Sequence, residues 1–168
     1  MRSLVFLIAA IIIISMSFIN NNELKVTSAS FKNIGIIPAK YSCQGSDINP
    51  PLHIDNIPSD AVSLAVIMHD PDAAGKNGFT HWVLWNVGTD GNIPENYQEG
   101  EQGMNSAEKN GYKGMCPPDG VHYYHFKVYA LDTKLDLDQN TTKEMLEKAM
   151  SNHIMAKGEL VGLYRKIK

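Results

Sequence analysis

Residues 62–87 read VSLAVIMHDPDAAGKNGFTHWVLWNV, and this stretch decides the fold class. Val62 to His69 is a continuous apolar run set between Pro58 and Pro71, the pattern of a fully buried strand. Asp70-Pro71-Asp72 opens a turn-forming segment. Thr80 to Val87 resumes as a strand, with Trp82 and Leu84 on one face and Val83 and Trp85 on the other. Outward from this hairpin the same signals recur. Tyr123 to Leu131, YYHFKVYAL, alternates and is rich in the aromatic and β-branched residues that suit strands. Leu24–Phe31 and Leu160–Ile167 are shorter strand candidates. One helix is well marked. Thr141-Thr142-Lys143-Glu144 carries a capping box with Thr141 as N-cap. Met145, Leu146, Ala149, Met150 and Ile154 then recur at helical spacing, and Gly158 marks the end. Gly88 to Asp119 is long, polar and rich in Gly and Pro, the kind of loop that builds sites. The expected fold is mainly β: two packed β-sheets, a C-terminal helix and long pocket-forming loops.

The chain has 168 residues, 43% apolar and 20% charged, which is globular composition. A net charge of −3 with scattered Lys and Arg excludes the basic field that nucleic acid requires. The N-terminus differs from the rest. Arg2 precedes a run from Leu4 to Phe18 that is almost purely apolar, too short for a stable membrane span and suited to a secretory signal peptide. Ser15 and Ser17 are small residues in the arrangement that precedes cleavage, so residues 1–17 are expected to be removed. Losing Arg2 alone takes the charge from −3 to −4. Residues 23–168 then form one domain with no membrane span, periplasmic or secreted; an uncleaved segment would leave it anchored. The exported part holds two cysteines, Cys43 and Cys116. In an oxidising compartment this minimal even count points to one disulfide; the alternative is two separate buried thiols.

The chemistry collects at two loop-to-strand junctions. His122 and Tyr124 are two apart on a strand and so share a face, pairing an imidazole with a phenol as donors for an anionic oxygen. By simple alternation His81 shares a face with Val83 and Trp85. Asp70 or Asp72 is placed to orient a histidine ring and hold its proton. The Gly114-Met115-Cys116 loop can turn backbone N–H groups outward as an anion nest. Each residue also has a plain structural role. Asp-Pro-Asp is a common turn, Tyr124 suits a core, and His53, His69, His125 and His153 have no companions that suggest a site.

Together, DPDAA…HWVLWN and PPDGVHYYHFKVYALD resemble the phosphatidylethanolamine-binding protein family, and in particular its bacterial YbhB/YbcL, Raf-kinase-inhibitor-like branch. Lys40–Gly45 with Asn49-Pro50-Pro51-Leu52 is similar to the opening motif of that branch, and Gly111–Pro118 to its central loop. The tail, through Ala156–Gly162, fits too. The resemblance implies a β-rich fold with a small anion pocket near one sheet end, taking phosphate-like groups including phospholipid headgroups. Carried over, the pocket acid is Asp70, the histidines are His81 and His122, and the phenol is Tyr124, with Asp72 bracing the loop. Ala74 stands where the family carries Pro, and Tyr123 where it carries Arg, which takes one cation from the site.

Three functions follow. The first is a non-enzymatic binding protein for a small phosphate-bearing ligand or lipid headgroup, needing no cofactor and no metal. Its affinity should fall as pH rises from about 6 to about 8, because a protonated imidazole supplies donors. The second is an inhibitor that occupies a protein partner, as kinase- or protease-inhibiting relatives do. The third is a hydrolase with a histidine base, against which stands the lack of a nucleophile elbow or H-E-x-x-H spacing.

Overall fold

A computed structural model describes residues 23–167. The signal-peptide reading of residues 1–17 lies outside them. Two sheets face each other. The larger has six strands in the order β2 (Gly35–Ile36), β9 (Ile154–Tyr164), β8 (His122–Leu131), β4 (Ser63–Asp70), β5 (Phe79–Val87) and β7 (Glu101–Gln102). All neighbours in it are antiparallel except β2 and β9. The smaller is antiparallel, in the order β1 (Lys25–Thr27), β3 (Leu52–Asp55) and β6 (Asn92–Ile93). Among the described residues the fold is mainly β, in two sheets with one α-helix, α1 (Lys143–Met150), as the sequence predicts.

The continuous apolar run of β4 is explained by a core on each side of the large sheet. Leu64, Val66 and Met68 pack with Trp82, Leu84, Phe126 and Val128 against Val26, Leu52, Ile54 and Ile93 of the small sheet. Ala65 and Ile67 pack with Val83 and Trp85 beneath Leu146 and Met150 of α1. The expected division of Trp82/Leu84 from Val83/Trp85 holds.

Three boundaries differ from the sequence reading. The first strand stops at Thr27 because the Ser28 hydroxyl turns to the Pro51 carbonyl and also accepts the Ser30 N–H, drawing the backbone out of the ladder. The helix is capped by Thr142, whose Oγ1 accepts from the Met145 N–H; Thr141 is buried, and its carbonyl accepts from Met104. Finally, Ile154 and Gly158 do not close the helix, which ends at Met150. They belong to β9, which pairs with β8 over almost its whole length. Long-range pairing overrides local helical periodicity there. Gly158 is needed for a close approach rather than a helix stop: a Cβ at this position would collide with the Leu24 carbonyl oxygen.

Residues 88–121 run past two short strands and then form one wall of a cavity at the end of the large sheet, on the face that carries the inter-sheet core.

Candidate functional site

Pro71 ends β4, leaving Asp70 at the strand tip. Asp70 is 2% exposed. Its Oδ1 accepts the N–H groups of Asp72 (2.8 Å) and Ala73 (3.1 Å), and its Oδ2 faces His122 Nδ1 at 2.8 Å. A carboxylate oxygen at that position requires Nδ1 to carry the proton, which turns His122 Nε2 toward the cavity. Asp72 plays the bracing role: its Oδ2 accepts the Tyr123 N–H at 2.8 Å, tying the loop after β4 to the start of β8, and its side chain is not part of the cavity wall.

The placement of His81 corrects the alternation argument. Across β4 and β5, Met68 opposes Trp82 but His69 opposes Thr80, so His81 is an extra residue in its strand. Such a bulge re-aims a side chain. It carries His81 away from Val83 and Trp85 and onto the face of Asp70, His122 and Tyr124. The His81 ring packs edge-on to Tyr124 with centroids 5.3 Å apart and lies 4.7 Å from the Phe79 ring. Freed from the ladder, the His81 carbonyl accepts the Lys113 N–H at 2.9 Å, and His81 Nδ1–H donates back to the Lys113 carbonyl at 2.6 Å. Burial pushes this imidazole down to about 4, against the smaller opposing pull of the Lys113 carbonyl and of Asp70. His81 is therefore neutral near pH 7, with the proton on Nδ1 and a bare Nε2. At that pH its Nε2 is an acceptor, not the donor that a protonated imidazole would supply.

Tyr124 is fully buried, and its hydroxyl has no hydrogen-bond partner within the protein. Burial first, then the charge of Asp70, raises its pKa far above the ordinary phenol value, so it remains an O–H donor.

The 113–118 loop supplies the remaining wall. The Cys43–Cys116 disulfide joins it to the 41–47 segment, with Cα atoms 5.5 Å apart, as the cysteine count predicts. Beside the bridge, Cys43 N–H donates to Met115 O at 3.1 Å. Lys113 Nζ pairs with Asp47 Oδ2 at 2.9 Å, and Gly114 N–H donates to Asp47 Oδ1. Burial alone would raise the Asp47 pKa, but Lys113 and the Gly114 N–H together hold it below the usual carboxylate range. Gly114 and Cys116 both line the cavity, yet the Gly114 N–H points to Asp47 and not into an anion nest. A Cβ on Gly114 would sit 2.8 Å from the Tyr41 carbonyl oxygen, which explains the glycine. Asp47 and Lys113 escape the sequence reading because nothing local marks a loop aspartate 66 residues from its lysine.

The cavity measures about 240 Å³ and collects Asp70, His81, Gly114, Cys116, His122 and Tyr124, with Phe79 and Pro117–Pro118 as apolar wall. That volume is below the range of drug-sized ligand sites and suits a small group. The other histidines are paired elsewhere. His53 meets Asn92 and Asp55, His125 meets Glu159, His153 meets Asp132, and His69 meets Thr80. Among the described residues no cluster of three metal-ligating side chains occurs, and no helix is long and apolar enough to cross a membrane.

Fold and cavity define a class: a two-sheet β domain with a small histidine-lined pocket at the end of its larger sheet. Comparison with known proteins identifies the family. The phosphatidylethanolamine-binding protein family profile matches residues 27–165, and the chain belongs to that family. It is 45% identical to UPF0098 protein PH1269 of Pyrococcus horikoshii, over 99% of this chain and 91% of that protein. Among solved structures it is similar to the phosphatidylethanolamine-binding protein homologue CT736 of Chlamydia trachomatis, with a TM-score of 0.83 and 41% identity over 87% of this chain and 99% of that one. It is also similar to E. coli YbcL, with a TM-score of 0.80 and 29% identity over 86% and 99%.

Proposed function

We propose that this chain is an exported, non-enzymatic binding protein whose pocket takes a small phosphate-bearing group such as a phospholipid headgroup. After removal of residues 1–17, residues 23–168 act as one domain. The observation that carries the reading is the Tyr124 hydroxyl, buried without a protein partner at a cavity also lined by His81 and His122, each of which has its Nδ1 already engaged. Unmatched buried polar groups are costly, and a ligand oxygen would satisfy them. The family name points to the same chemistry. The disulfide accords with an oxidising compartment. Binding is favoured over hydrolysis because, among the described residues, no serine or threonine lines the cavity and Cys116 is held in the disulfide.

A second reading, a regulator that docks on a protein partner, draws support from Val121 and Tyr123. They flank His122 and are 43% and 44% exposed. Co-purification of a stoichiometric protein partner from the envelope, lost in Tyr123→Ser, would favour it.

Calorimetric titration with inorganic phosphate and phosphoethanolamine tests the first reading. His122→Ala and Tyr124→Phe should each lose roughly 1–3 kcal/mol of binding, the scale for hydrogen bonds to a charged group. His53→Ala should bind like the parent. Unchanged affinity in both pocket variants would mean that the ligand sits elsewhere.

A further inference from the structure

Of the polar atoms that face the cavity, one has a character set by backbone geometry and burial together. His81 Nδ1 lies 2.6 Å from the Lys113 carbonyl oxygen, which only accepts, so the ring proton is on Nδ1. Burial of the ring keeps it neutral, so its Nε2 is a lone pair at the cavity that His81 lines with Tyr124 and His122. A lone pair has no attraction for a fully ionised oxygen. It is satisfied by a hydrogen-bond donor. The charges around it point the same way. From β4 it is faced by Asp70 and His69, from β8 by His122 and Tyr124, and from the 113–118 loop by Lys113, whose ammonium is already paired with Asp47. Among the described residues no unpaired Lys or Arg lines the cavity.

We propose that the pocket selects a phosphoryl group that still carries one proton, with its P–OH donating to His81 Nε2 while an unprotonated oxygen accepts from Tyr124. The preferred class is the monoanion of a phosphate monoester or of inorganic phosphate. Phosphodiesters have no P–OH, so an intact diester lipid headgroup is a poorer ligand than the free phosphomonoester it resembles. Sulfate, similar in shape and unprotonated outside strong acid, is disfavoured for the same reason. This inference rests on the pocket reading above and narrows it.

The contribution of His122 is separable. With Nδ1–H on Asp70, its Nε2 is an acceptor in the neutral ring and a donor in the protonated ring. A protonated His122 attracts anions in general, and a neutral one accepts a P–OH as His81 does, so His81 is isolated by substitution. The change in the ratio between a protonated and an unprotonated ligand on going from the parent to His81→Phe at one pH therefore reports on His81.

The test titrates the full chain calorimetrically with inorganic phosphate, methyl phosphate, dimethyl phosphate and sulfate between pH 5.5 and 7.5. Methyl phosphate should bind at least about tenfold more tightly than dimethyl phosphate or sulfate at the acid end, since a site with an unmatched polar group rejects the analogue that lacks the partner. Its affinity should fall about tenfold per pH unit above its second pKa, which is about 6. At pH 7.5, buffers of different ionisation enthalpy should reveal close to one proton taken up per ligand bound. In His81→Phe the preference over sulfate should collapse, whereas Tyr124→Phe should weaken all four ligands and leave the ratios near the parent values. Equal binding of methyl phosphate and sulfate by the parent protein at the acid end overturns the proton selection and leaves the pocket reading standing. Failure of all four ligands to bind overturns both.

Discussion

Two histidine–carboxylate pairs with similar geometry sit in different regions of the molecule. His122 and Asp70 meet at 2.8 Å where the large sheet ends, and His53 and Asp55 meet at 3.1 Å on the small sheet. The first pair has side chains 10% and 3% exposed; the second, 52% and 40%. His53 has both ring nitrogens matched, by Asn92 and Asp55. His122 has one, and its other nitrogen faces a cavity. An exposed pair is exchangeable with water and contributes little. A buried pair with a leftover polar atom has been removed from water without being fully satisfied, and that combination marks a site. The lesson is that a His next to an Asp carries no message until its solvent and its second nitrogen are known.

The contrast is tested most severely through the covalent tie that only the pocket region has. Replacing Cys43 and Cys116 together by Ala opens a loop with a sequence separation of 73. It should cost roughly 4.5 kcal/mol of unfolding free energy in the chain-entropy model. Urea denaturation measures this, and the same variant should bind phosphate more weakly because the wall that holds Gly114 and Cys116 is released. Next in size, Asp70→Ala leaves His122 Nδ1–H and two backbone N–H groups without their acceptor. A loss of about 4 kcal/mol is expected, as for other broken buried pairs. A loss no larger than that of Asp55→Ala would erase the distinction between the two pairs.

The pH dependence of stability is a third probe. His81 titrates at about 4 in the folded protein, below its ordinary value of 6.5. The unfolded chain thus binds more protons between those values. The stabilisation is complete above pH 6.5 and is lost as the pH falls toward 4, by at most about 3 kcal/mol. Subtracting the stability profile of His81→Gln from that of the parent should isolate this slope, and a flat difference would show that the imidazole is not buried as described. At the small end, His53→Ala should leave the melting temperature within error of the parent. A measurable drop would mean that the exposed pair is not idle.

Much of this molecule could be read from local pattern. The apolar run of β4 and the alternation of β5 and β8 follow from period-two side-chain geometry, which also places His122 and Tyr124 on one face. With only two cysteines outside the N-terminal segment, one intramolecular pairing was available. These features depend on residues close in sequence, or on a count. The remaining features depend on registration between distant segments. Helical spacing extends through Ile154, yet pairing with β8 claims that residue for β9. Alternation puts His81 with Val83, yet the offset between β4 and β5 turns it into the pocket. Asp47 captures the Gly114 N–H across the chain, and the Lys113 carbonyl decides which nitrogen of His81 holds its proton. Sequence by itself determined the main strands, which two cysteines could pair and the residue types of the pocket. Tertiary structure alone decided which face, which tautomer and which atom is left unmatched, because strand register and hydrogen-bond partners are settled by contacts that no local period encodes.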